Sequence, residues 1–235
     1  MMRHLGRWLL WTFALLAVAF ILLQGWYAAH IWWWREHAPL ETALMATRFS
    51  ELQERHGGAR LVYRWVGYDR ISVALKRAVI AAEDAKFVEH EGFDWEGIQQ
   101  ALDKNARRGR VVAGGSTITQ QLAKNLFLST QRSYWRKAEE ALITLMLEAI
   151  LDKRRILELY LNVIEWGDGI FGAEAASRRY FGTSSAALTA EHAARLAAMA
   201  PNPRYYEHHP DAPGLRRKTG IILARMPGAE CPRST

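Results

Sequence analysis

Three stretches of this chain concentrate residues that can do chemistry. In the first, Glu83-Asp84-Ala-Lys-Phe-Val-Glu-His90-Glu-Gly-Phe-Asp94, five acidic residues and a histidine surround two aromatics. A carboxylate held there can take a proton from a weak nucleophile as bonds form. Glu83 and His90 lack the spacing of a zinc helix, which wants histidines four apart. The second stretch is Gly114-Gly-Ser-Thr-Ile-Thr-Gln-Gln-Leu-Ala-Lys-Asn125. Its glycines lead into a helix start whose free N–H groups can receive an anion. It lacks the Gly-Lys-Ser/Thr of a nucleotide phosphate loop. The third groups Arg132, Arg136, Lys137 and Glu140. On a helix, spacings of three and four make the last three neighbours, and such cations suit phosphate oxygens. Lys153, Arg154 and Arg155 open the next helix. Cations there oppose the helix dipole, as they would beside an anionic ligand. Singly, each cluster also fits a solvated helix end, a capped helix or a charged surface.

The elements that must position these residues are mostly helices. Ser72 caps a helix whose Ile71, Leu75, Ala78, Val79 and Ala82 share one face. Glu83 and Asp84 fall at its C-terminal end, where carboxylates are electrostatically disfavoured and a function is invited. Asp94 caps a second helix through Leu102. Residues 105–115, with three arginines and three glycines, read as a mobile basic loop that closes over a substrate. Ser116 caps a helix bearing Ile118, Leu122 and Leu126. A long helix from Tyr134 to Leu151 turns Ala141, Leu142, Leu145, Met146 and Ala149 inward. Further helices are predicted at 36–59, Lys153 to Asn162, 172–181, 189–199 and 213–226, with a short strand from Leu61 to Val66.

Trp8 to Tyr27 is a run of 20 residues without a charge. As a helix it spans about 30 Å, enough to cross a bilayer. Arg3, His4 and Arg7 precede it, and Trp26, Tyr27, Trp32, Trp33 and Trp34 form an aromatic belt after it. The positive side is expected in the cytoplasm and the remainder outside. A cleaved leader is the competing reading, and Ala28-Ala29 makes a poor cleavage site for it. The net charge of +7 suits an anionic membrane or a phosphate-bearing substrate. Beside an anchor it does not suggest nucleic acid. One cysteine, Cys231, excludes an internal disulfide and clustered-cysteine zinc sites. The chain divides into a cytoplasmic N-terminus (1–7), a transmembrane helix (8–28), a membrane-proximal region (29–66), a catalytic domain (67–228) and a tail (229–235).

Taken in order, four motifs resemble the family 51 glycosyltransferases, the peptidoglycan polymerases. They are Glu-Asp-x-x-Phe-x-x-His-x-Gly-Phe-Asp, Gly-Gly-Ser-Thr-Ile-Thr-Gln-Gln-Leu-x-Lys-Asn, Arg-Lys-x-x-Glu and Arg-Ile-Leu-Glu-x-Tyr-Leu-Asn. The resemblance covers about Ile71 to Tyr205. It implies a mostly α, lysozyme-like, two-lobed glycosyltransferase domain behind one N-terminal transmembrane helix. The implied reaction extends a glycan on undecaprenyl diphosphate with lipid II. The acceptor's 4-hydroxyl attacks C1 of the donor, a β-1,4 bond forms with inversion, and undecaprenyl diphosphate leaves.

By motif position, Glu83 matches the general base and Glu140 the second catalytic carboxylate. Lys124, Arg132 and Lys137, with Arg136 beside them, match the cations around the pyrophosphate. Gln120 and Gln121 line the cleft, and Ser116 and Thr117 shape it. Asp84, His90 and Arg155 support the motifs. Glu139 stands where some relatives carry a further basic residue. No cofactor is required and no metal ligand set is visible. A divalent cation, Mg2+ or Mn2+, bridging the pyrophosphate is compatible with the family. The implied partners are lipid II, the undecaprenyl-diphosphate-linked glycan, the membrane, and other proteins of cell-wall synthesis or division. The implied location is the bacterial inner membrane, single-pass, with a periplasmic catalytic domain. The chain ends soon after this domain, so the monofunctional form is expected. Two rivals are a lysozyme-like lytic hydrolase, using a protonated glutamate, and an inactive membrane scaffold.

Overall fold

The computed structural model describes residues 2–58, 60–110, 114–131 and 133–232. The chain is mostly α. It begins with α1 (Met2–Trp33), whose stretch Arg7–Trp33 is long and apolar enough to cross a membrane. Its first turns and its last turns differ. From Trp8 to Leu23 the large apolar side chains project away from the rest of the protein. Tyr27, Ile31 and Trp34 are instead buried in the core of the folded domain.

The residues between α1 and α2 (Ala43–His56) are not helical. The expected helix over 36–59 is therefore shorter. Pro39 interrupts it, and Thr42 starts α2 by accepting a hydrogen bond from the Met45 N–H. Three short strands form one sheet in the order β1 (Val62–Tyr63), β3 (Ile170–Phe171), β2 (Glu165–Gly167). β1 runs parallel to β3, and β2 antiparallel to it. The strand expected from Leu61 to Val66 shrinks to two residues. Asn162 explains part of this: its side chain bonds both the N–H and the C=O of Val66, taking the place of a strand partner.

The remaining helices are α3 (Val73–Glu83), α4 (Trp95–Arg108), α5 (Ile118–Phe127), α6 (Tyr134–Ile150), α7 (Lys153–Val163), α8 (Ala173–Phe181), α9 (Ala190–Met199), α10 (Pro203–His208) and α11 (Pro213–Arg225). α3 packs on α9 and α11. α5 packs on α6, α7 and α2, and α1 leans on α6. Ser72, Asp94, Ser133, Asp152 and Thr189 each cap a helix by accepting a backbone N–H. Those side chains satisfy N–H groups that the first turn leaves free.

Three expectations need correction. α4 continues past Leu102 to Arg108 and absorbs the first part of the basic segment at 105–115. Residues 111–113 of that segment lie outside the described residues. Thr117 rather than Ser116 caps α5, in a reciprocal box with Gln120. On α6 the buried side is Glu140, Ile143, Thr144 and Leu147. Leu142, Leu145 and Ala149, expected inward, are exposed. Two apolar stripes exist on α6, and hydrophobicity alone does not say which one meets protein.

Candidate active site

Glu83 is the last residue of α3. Its carboxylate Oε2 accepts a 2.7 Å hydrogen bond from the Gln121 side-chain amide of α5. The other end of that amide accepts a 3.0 Å bond from the Tyr160 hydroxyl of α7. The relay fixes which way the Gln121 amide faces, so that its NH2 rather than its carbonyl meets Glu83. Burial pushes the Glu83 carboxyl up from the ordinary glutamate range. The Gln121 bond and the charges of Lys218 and Lys124 work against that shift. A carboxyl raised in this way is a better base than a solvated one.

Asp84 next to it has a different task. It is buried, and its two oxygens are both used. Oδ1 accepts from His90 Nε2 at 2.9 Å, and Oδ2 accepts from the Ile118 N–H at 3.0 Å. Asp84 thus docks the end of α3 on the start of α5. Thr117 adds a bond of 2.7 Å from its hydroxyl to the Gly92 carbonyl. Gly92 has φ of +87°, and a Cβ built on it would lie 2.7 Å from the Thr144 methyl. The acidic first motif is therefore largely a clamp between α3, α5 and α6, with Glu83 left free for chemistry.

Two larger cavities flank the Glu83–Gln121 pair. One, of about 380 Å3, is lined by Glu83, Asp84, Ser116, Thr117, Asp94 and Lys104. The other, of about 440 Å3, is lined by Gln121, Lys124, Asn125, Arg136, Tyr160 and Arg48. Glu140 is buried beside this second cavity and is shared by two cations. Arg136 donates to it at 2.7 Å, and Lys137 pairs with its other oxygen. Burial lowers the Lys124 ammonium from the ordinary lysine range, while Glu140 and Glu83 favour its charged form. Lys124, Arg136, Lys137, Glu83 and Glu140 thus form one electrostatic cluster.

The other expected site residues are placed as follows. Ser116 lines the first cavity and is exposed. Gln120 is buried in the α5 capping box, where its Oε1 accepts the Thr117 N–H at 3.0 Å, so it turns away from the cleft. Arg132 lies outside the described residues. Arg155 makes its contacts elsewhere: it donates to the carbonyls of Trp34 and His37 and pairs with Glu158. It fixes the exit of α1 on α7. Lys153 and Arg154 pair with Glu148 and Asp69. The cations at the start of α7 are thus matched by carboxylates of the protein itself, and the anionic ligand expected near them is not needed to explain them. Tyr160 lies in the fourth motif, and the sequence assigns that tyrosine no part in the site. Its contact with Gln121 crosses 39 positions of sequence, and nothing in local spacing announces it.

A family model described as Transglycosylase matches residues 50–227. The chain is 61% identical over 225 residues to the biosynthetic peptidoglycan transglycosylase of Methylobacillus flagellatus, covering 95% of this chain and 98% of that one. It is 59% identical over 231 residues to the protein of the same name in Dechloromonas aromatica, covering 98% of this chain and 100% of that one. It is 58% identical over 228 residues to the one in Chromobacterium violaceum, covering 97% and 100%. Those matches and the paired carboxylate and cation cluster agree: the chain belongs to the transglycosylase family and is a glycosyltransferase.

Proposed function

We propose that this enzyme polymerises lipid II into β-1,4-linked peptidoglycan strands, releasing undecaprenyl diphosphate, with Glu83 as the general base. The observation that carries this reading is the division of labour across the Glu83–Gln121 pair. On one side stands a partly enclosed carboxylate with a raised pKa. On the other stand Lys124 and Arg136, with Lys137 beside them, and Glu140 pairs with both Arg136 and Lys137. A sugar hydroxyl entering the Glu83 side gives up its proton to the carboxylate as it attacks. A pyrophosphate leaving on the cationic side develops charge against groups already in place, so little reorganisation is needed. Lysine offers a point charge there and arginine a fork.

A lytic hydrolase would need a protonated glutamate and no phosphate cations. The cluster on α5 and α6 favours transfer. Among the described residues, no group of three or more His, Cys, Asp or Glu side chains is placed to hold a metal.

The anchor supports the same reading. Both proposed substrates carry lipid tails, and tethering the cleft to the bilayer raises their effective concentration. Tyr27 belongs to the folded core and donates to Glu139, so cleavage of a leader at Ala28-Ala29 would strip a core side chain. That favours a retained single-pass anchor in the inner membrane, with the N-terminus cytoplasmic and the cleft periplasmic. Proteins of cell-wall synthesis or division are the expected neighbours.

The test is polymerisation of labelled lipid II by the detergent-solubilised full chain beside Glu83→Gln. Glycan strands from the wild type and loss of most of the rate in the variant support the reading. Equal rates remove Glu83 as the base. Cleavage of lipid-free peptidoglycan without polymerisation replaces the reading with the hydrolase.

A further inference from the structure

α11 is a helix to which the motifs assign no chemistry, yet it forms a wall of the cleft beside the base. Lys218 and Arg225 are seven residues apart and so share one face. Both line a smaller cavity of about 200 Å3 into which Glu83 also opens, together with Pro201 and Ile221. The cations of the second and third motifs approach from α5 and α6 and line a different cavity. Lys218 is partly buried, with its ammonium 5.7 Å from the Tyr206 ring. Among the described residues no carboxylate lies within salt-bridge distance of it, so its charge acts across the cavity rather than in a contact pair.

We propose that Lys218 is a positioning residue for glycosyl transfer: from α11 it faces the Glu83 carboxylate across the smaller cavity and holds it ionised, ready to accept the proton. The inference rests on Glu83 being the base. α9 lines the smaller cavity with Ala197 and Ala198 and brings no charge to it, while Lys104 of α4 and its cap Asp94 line the first cavity with Glu83. On α3, Asp84 opposes ionisation, although His90 and the Ile118 N–H hold it. α5 supplies the Gln121 hydrogen bond and Lys124, α7 the Tyr160 phenol bound to Gln121, and α11 Lys218 and Arg225. Lys218 counters the effect of burial on Glu83 more than Lys124 does. Lys124 already faces Glu140 and serves the cavity assigned to the leaving group; Arg225 and Lys104 also line cavities with Glu83, and Lys218 is the one of the three whose charge acts on its carboxyl.

Removing a positive charge near a carboxylate raises its pKa, so the acid limb of the rate profile moves to higher pH. The experiment is the pH dependence of kcat/KM for lipid II polymerisation by the full chain. Wild type, Lys218→Met, Lys218→Arg and Glu83→Gln are compared, each with a thermal unfolding curve. Lys218→Met is expected to move the acid limb up by roughly half a pH unit or more and to regain most of the rate above it. Lys218→Arg, which keeps the charge, should restore the wild-type limb. An unmoved limb in Lys218→Met overturns the proposal. So does a uniform loss at every pH that Lys218→Arg repairs, which would make Lys218 a substrate contact. If Glu83→Gln keeps the full rate, the base assignment itself fails and this inference fails with it. If Glu83→Gln is inactive and the limb is still unmoved, only the role of Lys218 is lost.

Discussion

At the residue scale, Glu83 shows a trade between stability and chemistry. It ends α3, where the helix dipole disfavours a negative charge, and burial raises its carboxyl above the ordinary range. A carboxyl whose folded pKa is raised lends stability below its unfolded pKa and loses it as pH climbs through the folded one. Glu83→Gln should therefore equal or exceed the wild type in thermal midpoint near pH 7.5, with the gain vanishing near pH 4. Its polymerisation rate should fall by roughly 10^2- to 10^4-fold. Unfolding curves at the two pH values and a lipid II assay check both halves. Lys124 carries the opposite sign. Its ammonium is lowered by burial, so the alkaline limb of activity should begin below the ordinary lysine range. Lys124→Arg, charged throughout, should push that limb upward in a pH profile. Tyr160→Phe removes one hydrogen bond from the Gln121 relay. A loss of about 1 kcal/mol is expected for it, near a fivefold fall in kcat with folding retained.

At the element scale, the site depends on how α3, α5 and α6 lock together. Asp84 joins the first two, and the Thr117 hydroxyl reaches the Gly92 carbonyl. The turn at Gly92 has a positive φ, and the space beside it is filled by Thr144 and Glu148 of α6. Gly92→Ala therefore adds both backbone strain and a clash. A loss of roughly 2 to 4 kcal/mol is expected, read as a lowered denaturant midpoint, with activity falling in parallel. The capping box on α5 places Gln121 on the cleft side and Gln120 inside. Adjacent positions on a helix point about 100° apart, so one of two neighbouring glutamines must turn away.

For the molecule as a whole, the C-terminal end of α1 and the rest of the chain form one folded unit. The Tyr27 hydroxyl donates to Glu139 at 3.0 Å, one residue before the buried Glu140. The Phe127 ring lies 4.9 Å from that of Tyr27 and 5.2 Å from that of Trp34. Arg155 clamps the carbonyls of Trp34 and His37. Glu139, the acidic residue before the third-motif glutamate, is thereby a contact of α1. Ile31 is fully buried although it belongs to a helix that reads as membrane-spanning. Ile31→Ala should cost about 2 to 4 kcal/mol in the thermal stability of the detergent-solubilised protein. A substitution such as Leu15→Ala, on the free part of α1, should leave the domain unchanged.

Local chemistry fixed much of this protein in advance. The helix caps at Ser72 and Asp94, the apolar span from Trp8, and the order of the carboxylate, glutamine and cation motifs are all short-range patterns. Hydrogen bonding and period express them within a few residues. Long-range contact decided the rest. The role of Asp84 depends on an N–H 34 positions away, and the pairing of Arg154 depends on Asp69, 85 positions away. Which stripe of α6 faces inward was settled by the packing of α5 and α1 against it. The strands were too short to show a period. The cationic wall at Lys218 became visible only when α11 was laid against α3. Spacing along a chain specifies which residues share a face, and only folding specifies what that face meets.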